Sequence, residues 1–178
     1  MSYSLIQVGP KVIEDLHNNW LDPLKDEENI PDTPYEMAVS WAEKSRNSHD
    51  NSTAYAVYGG EEPLALVDIR QVFPGQENGW LKVMNIVVAP RYDLRQPNTE
   101  ALNKWTRGKE FGDIAAALVL ESLELATTVK VPKVKIYASS EITLDFFELV
   151  ISHMDEQLLE RAQLDVDSHG NWLVFTIG

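Results

Sequence analysis

Basic residues are concentrated in one short stretch of an otherwise strongly acidic chain. The 178 residues include 28 Asp and Glu but only 15 Lys and Arg, which gives a formal net charge of −13. Five of those 15 basic residues fall within one stretch: Arg91, Arg95, Lys104, Arg107 and Lys109. Clustered cations offset a negative surface locally. We therefore predict that an anionic ligand docks near this stretch.

The other chemically reactive side chains form no recognisable catalytic or metal-binding pattern. There is no cysteine, which excludes disulfides and thiol chemistry, and the four histidines lack metal-ligand spacing. No nucleophile elbow and no phosphate-binding P-loop motif occurs. Four tryptophans are assigned to the core: Trp20, Trp41, Trp80 and Trp172. Trp105 lies beside the basic residues, where it either anchors that stretch to the domain or covers a ligand.

Composition indicates a globular protein that contacts neither nucleic acid nor membrane. Hydrophobic residues make up 44% of the chain, which is enough for a substantial core. The negative charge disfavours nucleic acid and leaves a basic partner open. No apolar stretch is long enough to span a bilayer, and the N-terminus lacks the pattern of a signal peptide. We expect a cytoplasmic protein whose oligomeric state is open, with a homodimer as one option.

Hydrophobic periodicity predicts seven strands and four helices. The strands are predicted at Ser4–Val8, Thr53–Tyr58, Leu64–Phe73, Trp80–Val88, Val131–Tyr137, Leu164–Val166 and Trp172–Ile177. The helices are predicted at Lys11–Leu24, from Thr33 onward, at Gly112–Val129 and at Glu141–Met154. A loop is predicted at Arg91–Arg107, which can include a helical turn at Glu100–Trp105. A short helix or a loop is predicted at Gln157–Ala162.

The element order is β-α-α-β-β-β-α-β-α-β-β, which is typical of the α/β class with a mixed sheet and helices on both faces. Gly112–Val129 is apolar on nearly all sides and is predicted to be a central, largely buried helix. We predict one domain over residues 1–178, with an inserted loop at about 91–106.

This order resembles the GCN5-related N-acetyltransferase (GNAT) family. The resemblance is carried by Val88-Ala89-Pro90 at the end of a strand and by Arg107-Gly108-Lys109-Glu110-Phe111-Gly112 before the buried helix. In that family the strand separates from its neighbour, and the pantetheine arm of acetyl-CoA hydrogen-bonds along the gap. The resemblance implies that Ile86, Val87 and Val88 form this edge.

The resemblance also implies a pyrophosphate site at Arg107–Gly112. A glycine-containing turn at a helix N-terminus leaves backbone N–H groups unpaired, and these suit phosphate oxygens. Arg107, Gly108, Lys109 and the N–H groups of Phe111, Gly112 and Asp113 would bind the cofactor.

Two hypotheses follow from the resemblance. The first is an acetyl-CoA-dependent N-acetyltransferase that acts on a primary amine of a small molecule, a peptide or a protein. Asp68, in the apolar run Leu64–Ile69, is its candidate base, although it could instead face solvent or pair with Arg70 or Lys82. The second is a catalytically inactive GNAT-like binding or structural module, for example in a phage-associated setting. Glu110 in place of a glycine, Phe147 in place of a proton-donating tyrosine, and the inserted loop favour this second hypothesis.

Overall fold

A single mixed sheet of seven strands organises the chain. A computed structural model describes residues 3–25, 33–46, 52–93, 101–139, 141–152 and 164–178. The strands are β1 (Tyr3–Gln7), β2 (Ser52–Gly59), β3 (Glu62–Val72), β4 (Trp80–Val88), β5 (Lys133–Tyr137), β6 (Leu164–His169) and β7 (Trp172–Ile177). Their order in the sheet is β1-β2-β3-β4-β5-β7-β6. Only β4 and β5 are parallel, and the other neighbours are antiparallel.

Helices cover the sheet in two separate layers. The helices are α1 (Pro10–Leu16), α2 (Asp22–Leu24), α3 (Thr33–Arg46), α4 (Ala101–Thr128) and α5 (Glu141–Ser152), with a π-helical turn at His17–Leu21 and a 3-10 turn at Pro90–Tyr92. Helices α4 and α5 pack on what we term the α4 face, where the larger core lies. On the opposite face, α1 to α3 bury a smaller core against β2 and β3. Among the described residues, this smaller core contains none from β5, β6 or β7.

The structure confirms the predicted α/β class and the mixed sheet. The predicted helix Lys11–Leu24 is present as one helical stretch that includes the π-helical turn. Strand β6 runs to His169, so the last hairpin turn is tighter than predicted. The predicted core positions Trp80 and Trp172 are only partly buried. Met154 and Gln157–Ala162 lie outside the described residues.

The helical turn allowed at Glu100–Trp105 is present from Ala101 onward, but the loop predicted after it is wrong because the helix continues without a break. Helix α4 begins at Ala101, so residues 101–112 are helical rather than part of a loop. The segment from Ala101 to Arg107 is free of proline and includes Ala, Leu, Lys and Arg, all good helix formers. Gly108 and Gly112 cost about 1 kcal/mol each in a helix. That cost is small beside the burial of the following turns, which include Ile114, Leu118 and Val119.

The turn between β3 and β4 fixes where β4 meets β5. Gly75 donates its N–H to the Val129 carbonyl at 3.2 Å, which ties the turn to the end of α4. Gly79 leaves no room for a side chain, because a Cβ there would collide with the Phe73 carbonyl oxygen and lie 2.9 Å from Cγ1 of Val131. The connection that leads into β5 is therefore packed directly against the start of β4.

We expect Gly79→Ala to lower the free energy of unfolding by about 1–3 kcal/mol, because the backbone must move to admit the methyl group. Gly108→Ala is the matched control, since a Cβ there meets none of the described residues within 4 Å. The control should raise the free energy of unfolding by about 0.5–1 kcal/mol, the helix-propensity difference. Urea denaturation measures both, and equal effects of the two substitutions would contradict the packing assigned to the turn.

Candidate active site

The sheet opens between its two parallel strands. Strand β4 pairs with β5 only from Leu81 to Val83, opposite Val134 to Ile136. Beyond that point β5 stays with β7: Tyr137 pairs with Trp172, and Ala138 donates its N–H to the Asn171 carbonyl at 2.8 Å. In the described part of the chain, no β5 residue pairs with β4 beyond Val83. We call the opening between Met84–Val88 and residues 137–139 the wedge.

Strand β4 stays attached to β3 along the whole wedge. Val88 lies opposite Ala65, and Ala89 donates its N–H to the Leu64 carbonyl at 2.8 Å. Hydrogen-bonded and non-hydrogen-bonded pairs alternate along an antiparallel ladder. The Ala89–Leu64 pair is hydrogen-bonded, so the N–H and C=O of Val88 point away from β3. They point into the wedge, where a ligand could pair with them.

A β-bulge lies at the point where the strands part. Leu66 is opposite Val87 and Asp68 is opposite Met84, so Asn85 and Ile86 together face the single residue Val67. Asn85 adopts φ 50°, a left-handed conformation that asparagine tolerates better than most residues. Bulges bend a strand and redirect its backbone groups. Here the bulge begins the part of β4 that borders the wedge.

Asp68 is buried beside this bulge, with only 1% of its surface exposed. Its Oδ2 lies 3.5 Å from Nη2 of Arg70, which forms an ion pair, and 3.5 Å from Nδ2 of Asn85. The structure thus contains the pairing with Arg70 that was one alternative for this residue. Asp68 lies one strand away from the wedge, so we expect any base role to run through a bridging water.

The chain is firmly anchored where it leaves β4. The Tyr35 hydroxyl donates to Oδ2 of Asp93 at 2.9 Å, and both residues are buried. Arg91 forms an ion pair with Glu62, and its guanidinium lies 4.5 Å from the ring centroid of Tyr92. Arg91 was assigned to an anion-binding cluster, but its charge is engaged by Glu62. Arg95 lies outside the described residues, and no side-chain placement is described for Lys104, Trp105 and Arg107.

The structure changes the chemistry predicted for Arg107–Gly112. These residues lie well inside α4, so the backbone N–H groups of Phe111, Gly112 and Asp113 serve the helix rather than a phosphate. The prediction that unpaired backbone N–H groups at these positions bind phosphate is therefore wrong. Contact of these residues with a cofactor through other groups stays a prediction.

The helix face that carries Gly108 and Gly112 has no side chain of the described residues packed closely against the two glycines. At helical spacing these glycines continue the stripe of Ala115, Val119 and Ser122, which are buried against the sheet. A Cβ at either glycine would have none of the described residues within 4 Å. At this end of the buried stripe, the helix presents backbone without side chains.

Acidic side chains also lie near this end of the sheet. Burial raises the pKa of Tyr3 above its ordinary value, and the nearby Asp113, Tyr92 and Glu110 raise it further, in that order. Glu110 and Asp113 therefore lie close to β1 and to the exit of β4, and both are exposed. The exposed Lys109 is their neighbour in the chain. Phe147 is buried in the larger core, where it offers no proton donor.

Tyr137 is a candidate site residue that sequence reasoning missed. It is the first β5 residue beyond the paired segment and is 36% exposed. Its ring lies 4.9 Å from that of Trp172. The signal that could have identified it is its position at the end of the strand that parts from β4.

The bulge generates a test of the backbone at Asn85. We expect Asn85→Val to lower the free energy of unfolding by about 1–2 kcal/mol more than Asn85→Gly, because only glycine adopts the left-handed conformation without strain. Both variants lose the amide contact with Asp68, so the difference isolates the backbone conformation. Urea denaturation gives both values, and equal losses would contradict a bulge held in this conformation.

Comparison with solved structures gives matches over nearly the whole chain. A chimera of the spermidine N-acetyltransferase SpeG from Vibrio cholerae and hSSAT has a TM-score of 0.50 and 12% identity, with 99% of this chain and 96% of that chain covered. The N-acetyltransferase PseH of Campylobacter jejuni, in complex with acetyl coenzyme A, has a TM-score of 0.43 and 11% identity, covering 98% and 96%. The paia N-acetyltransferase of Thermoplasma acidophilum, in complex with coenzyme A, has a TM-score of 0.44 and 10% identity, covering 100% of both chains.

No protein-family model and no curated protein sequence matches the chain. No helix among the described residues is long and apolar enough to cross a membrane. The strand order, the parting of β4 from β5 and the match to the SpeG chimera agree with one another. The chain therefore has the acyl-CoA N-acyltransferase fold seen in the GNAT family.

Proposed function

We propose that this chain is an acetyl-CoA-dependent N-acetyltransferase that acts on a primary amine. The observation that carries the proposal is the wedge, with the N–H and C=O of Val88 directed into it. An open strand edge inside a sheet is a ready site for an extended, amide-containing ligand. The pantetheine arm of acetyl-CoA has two amides, and it would pair with Val88 much as an added strand does.

The pyrophosphate would lie beyond the wedge, beside the first turns of α4. Gly108 and Gly112 allow a ligand to approach the helix backbone closely, since neither has a side chain and none of the described residues would contact one. Because the backbone N–H groups serve the helix there, Arg107 and Lys109 would supply the positive charge. Glu110 and Asp113 lie at the same end of the sheet and weaken this attraction. We expect phosphate binding to be correspondingly modest.

Acetyl-CoA supplies an activated acyl group. The protein must position the amine and accept the proton that the amine loses. The amine nitrogen forms a bond to the acetyl carbon, the carbon–sulfur bond breaks, and the amine loses a proton. Asp68 is the proposed acceptor of that proton through water, as its burial one strand from the wedge requires. Another backbone N–H of β4 along the wedge would stabilise negative charge on the acetyl oxygen. Tyr137 is the proposed proton donor to the departing sulfur.

Calorimetric titration with acetyl-CoA tests the proposal, combined with mass spectrometry of amines after incubation. Val88→Pro removes an N–H that points into the wedge, and we expect about tenfold weaker acetyl-CoA binding from one lost hydrogen bond. Val87→Pro is the matched control, because by alternation its N–H pairs with β3. The control should lose stability to urea more than Val88→Pro does. Unchanged acetyl-CoA affinity in Val88→Pro would place the ligand elsewhere.

Gly112→Ala separates the stability of α4 from its proposed contact with the cofactor. The alanine should raise the free energy of unfolding by about 0.5–1 kcal/mol, as expected for a helix interior. The added methyl group would enter the space proposed for the pyrophosphate, so acetyl-CoA should bind at least about tenfold more weakly. Thermal unfolding and calorimetry give the two values. A more stable protein with unchanged affinity would contradict the pyrophosphate position.

A module without catalytic activity is the second candidate function. It is favoured by the continuation of α4 through residues 107–112, which removes the N-terminal N–H groups that would bind phosphate. Acetyl-CoA binding without acetylation of any amine would favour a ligand-binding module. The absence of binding at millimolar acetyl-CoA would contradict the proposed acetyltransferase function.

A further inference from the structure

A row of three cations crosses the sheet next to the wedge. Arg70 of β3 is opposite Lys82 of β4, and Lys82 is opposite Lys135 of β5. Direct cross-strand neighbours share one face of the sheet. Neighbouring strands lie about 4.8 Å apart, so the three residues span about 10 Å. We call Arg70, Lys82 and Lys135 the cationic row.

The cationic row lies on the face opposite α4. Leu81, Val83 and Ile136 alternate with the row along β4 and β5, and all three are buried in the larger core under α4. The side chains of the row therefore project from the other face. All three are at least partly exposed.

The fold neutralises these charges only in part, through Asp68 beside Arg70. Like charges directly opposite each other destabilise a sheet. Arg70 is paired with Asp68 at 3.5 Å, but its side chain is 49% exposed. Among the described residues, no carboxylate lies within 4 Å of the ammonium group of Lys82 or Lys135. Three adjacent cations in a chain of net charge −13 are therefore a local reversal of the surface charge.

Aromatic rings hold the two lysines without cancelling their charge. Nζ of Lys82 lies 5.1 Å from the ring centroid of Trp172, and Nζ of Lys135 lies 4.3 Å from that of Trp80. A cation over a ring keeps its full charge and is restrained in position. The nearest carboxylate on this face is that of Asp68 on β3, which pairs with Arg70 at 3.5 Å. On β6, Asp167 is separated from Lys135 by Val174 of β7 and contacts His169 at 2.9 Å.

The cationic row is close enough to the wedge to bind one end of an acceptor. Lys82 precedes Met84, where the wedge begins, by two residues, which corresponds to about 7 Å along a strand. A molecule whose anionic group contacts the row can therefore present an amine to the wedge from the face opposite α4. A polyamine or another polycation would be repelled there.

We infer that the acceptor amine carries a carboxylate or phosphate group, which the cationic row of Arg70, Lys82 and Lys135 binds. The role of this molecule as an acetyl acceptor rests on the proposed acetyltransferase function. The binding of its anionic group does not. It specifies the substrate class: amines that also carry an anionic group within reach of the cationic row.

Matched pairs of amines test the inference. The pair 6-aminohexanoate and hexylamine differs by a carboxylate, and the pair glucosamine 6-phosphate and glucosamine differs by a phosphate. With acetyl-CoA present, we expect kcat/KM at least about tenfold higher for the anionic member of one pair, as for a charge-assisted hydrogen bond. The pair that shows the difference identifies the anionic group. Lys82→Gln/Lys135→Gln should remove this preference and leave the neutral amines unaffected, and Lys44→Gln on the exposed part of α3 is the control.

Titration without acetyl-CoA keeps the inference separate from the proposed function. Binding of the anionic amines should change tryptophan fluorescence, because Trp80 and Trp172 contact the two lysines. That change should be lost in Lys82→Gln/Lys135→Gln and kept in Lys44→Gln. Anion binding without turnover would contradict the proposed acetyltransferase function and support anion binding by the cationic row. Three outcomes would overturn the inference. The charged and neutral amines of each pair could bind equally well, or spermidine could be preferred to both. The preference for the anionic amine could also be unchanged in Lys82→Gln/Lys135→Gln.

Discussion

Strand β4 must satisfy its backbone hydrogen bonds with two neighbours that diverge. Strand β3 accompanies it to Ala89, whereas β5 leaves after three paired residues and follows β7. Unpaired backbone groups are tolerated only where water or a ligand can reach them. The wedge is therefore a stable feature only because both strands are held from the outside. The turn at Gly75 and Gly79 holds one side, and the pairing of β5 with β7 holds the other.

The bulge at Asn85 is what allows β4 to border the wedge and still pack on both faces. Val83 faces the larger core, and strict alternation would send residues 85 and 87 to that core as well. Instead Ile86 and Val88 pack with the larger core and Val87 with the smaller one. The extra residue shifts the alternation by one position. Without this shift, a polar asparagine would enter the apolar core and Val88 would leave it.

Much of the secondary structure could be predicted from the sequence because its signals are local. Alternation along β1 and β5, and helical spacing in Lys11–Leu24, agree with the structure. The start of α4 was missed because Gly108 and Gly112 are poor helix formers locally, while the packing that outweighs them is formed by distant residues. Trp80 and Trp172 were assigned to the core because periodicity shows which residues share a face, but not which face is covered. The wedge was expected only from the family resemblance, since strand pairing joins residues about 50 positions apart, as with Leu81 and Val134.

The total charge of the chain and the charge beside the wedge have opposite signs. A net charge of −13 on its own would favour a cationic partner. At short range, however, the nearest side chains dominate, because solvent and salt screen the more distant ones. The register of β3, β4 and β5 places three of the few basic residues side by side, and this arrangement follows from pairing rather than from composition. The charge at the site is therefore a property of the fold.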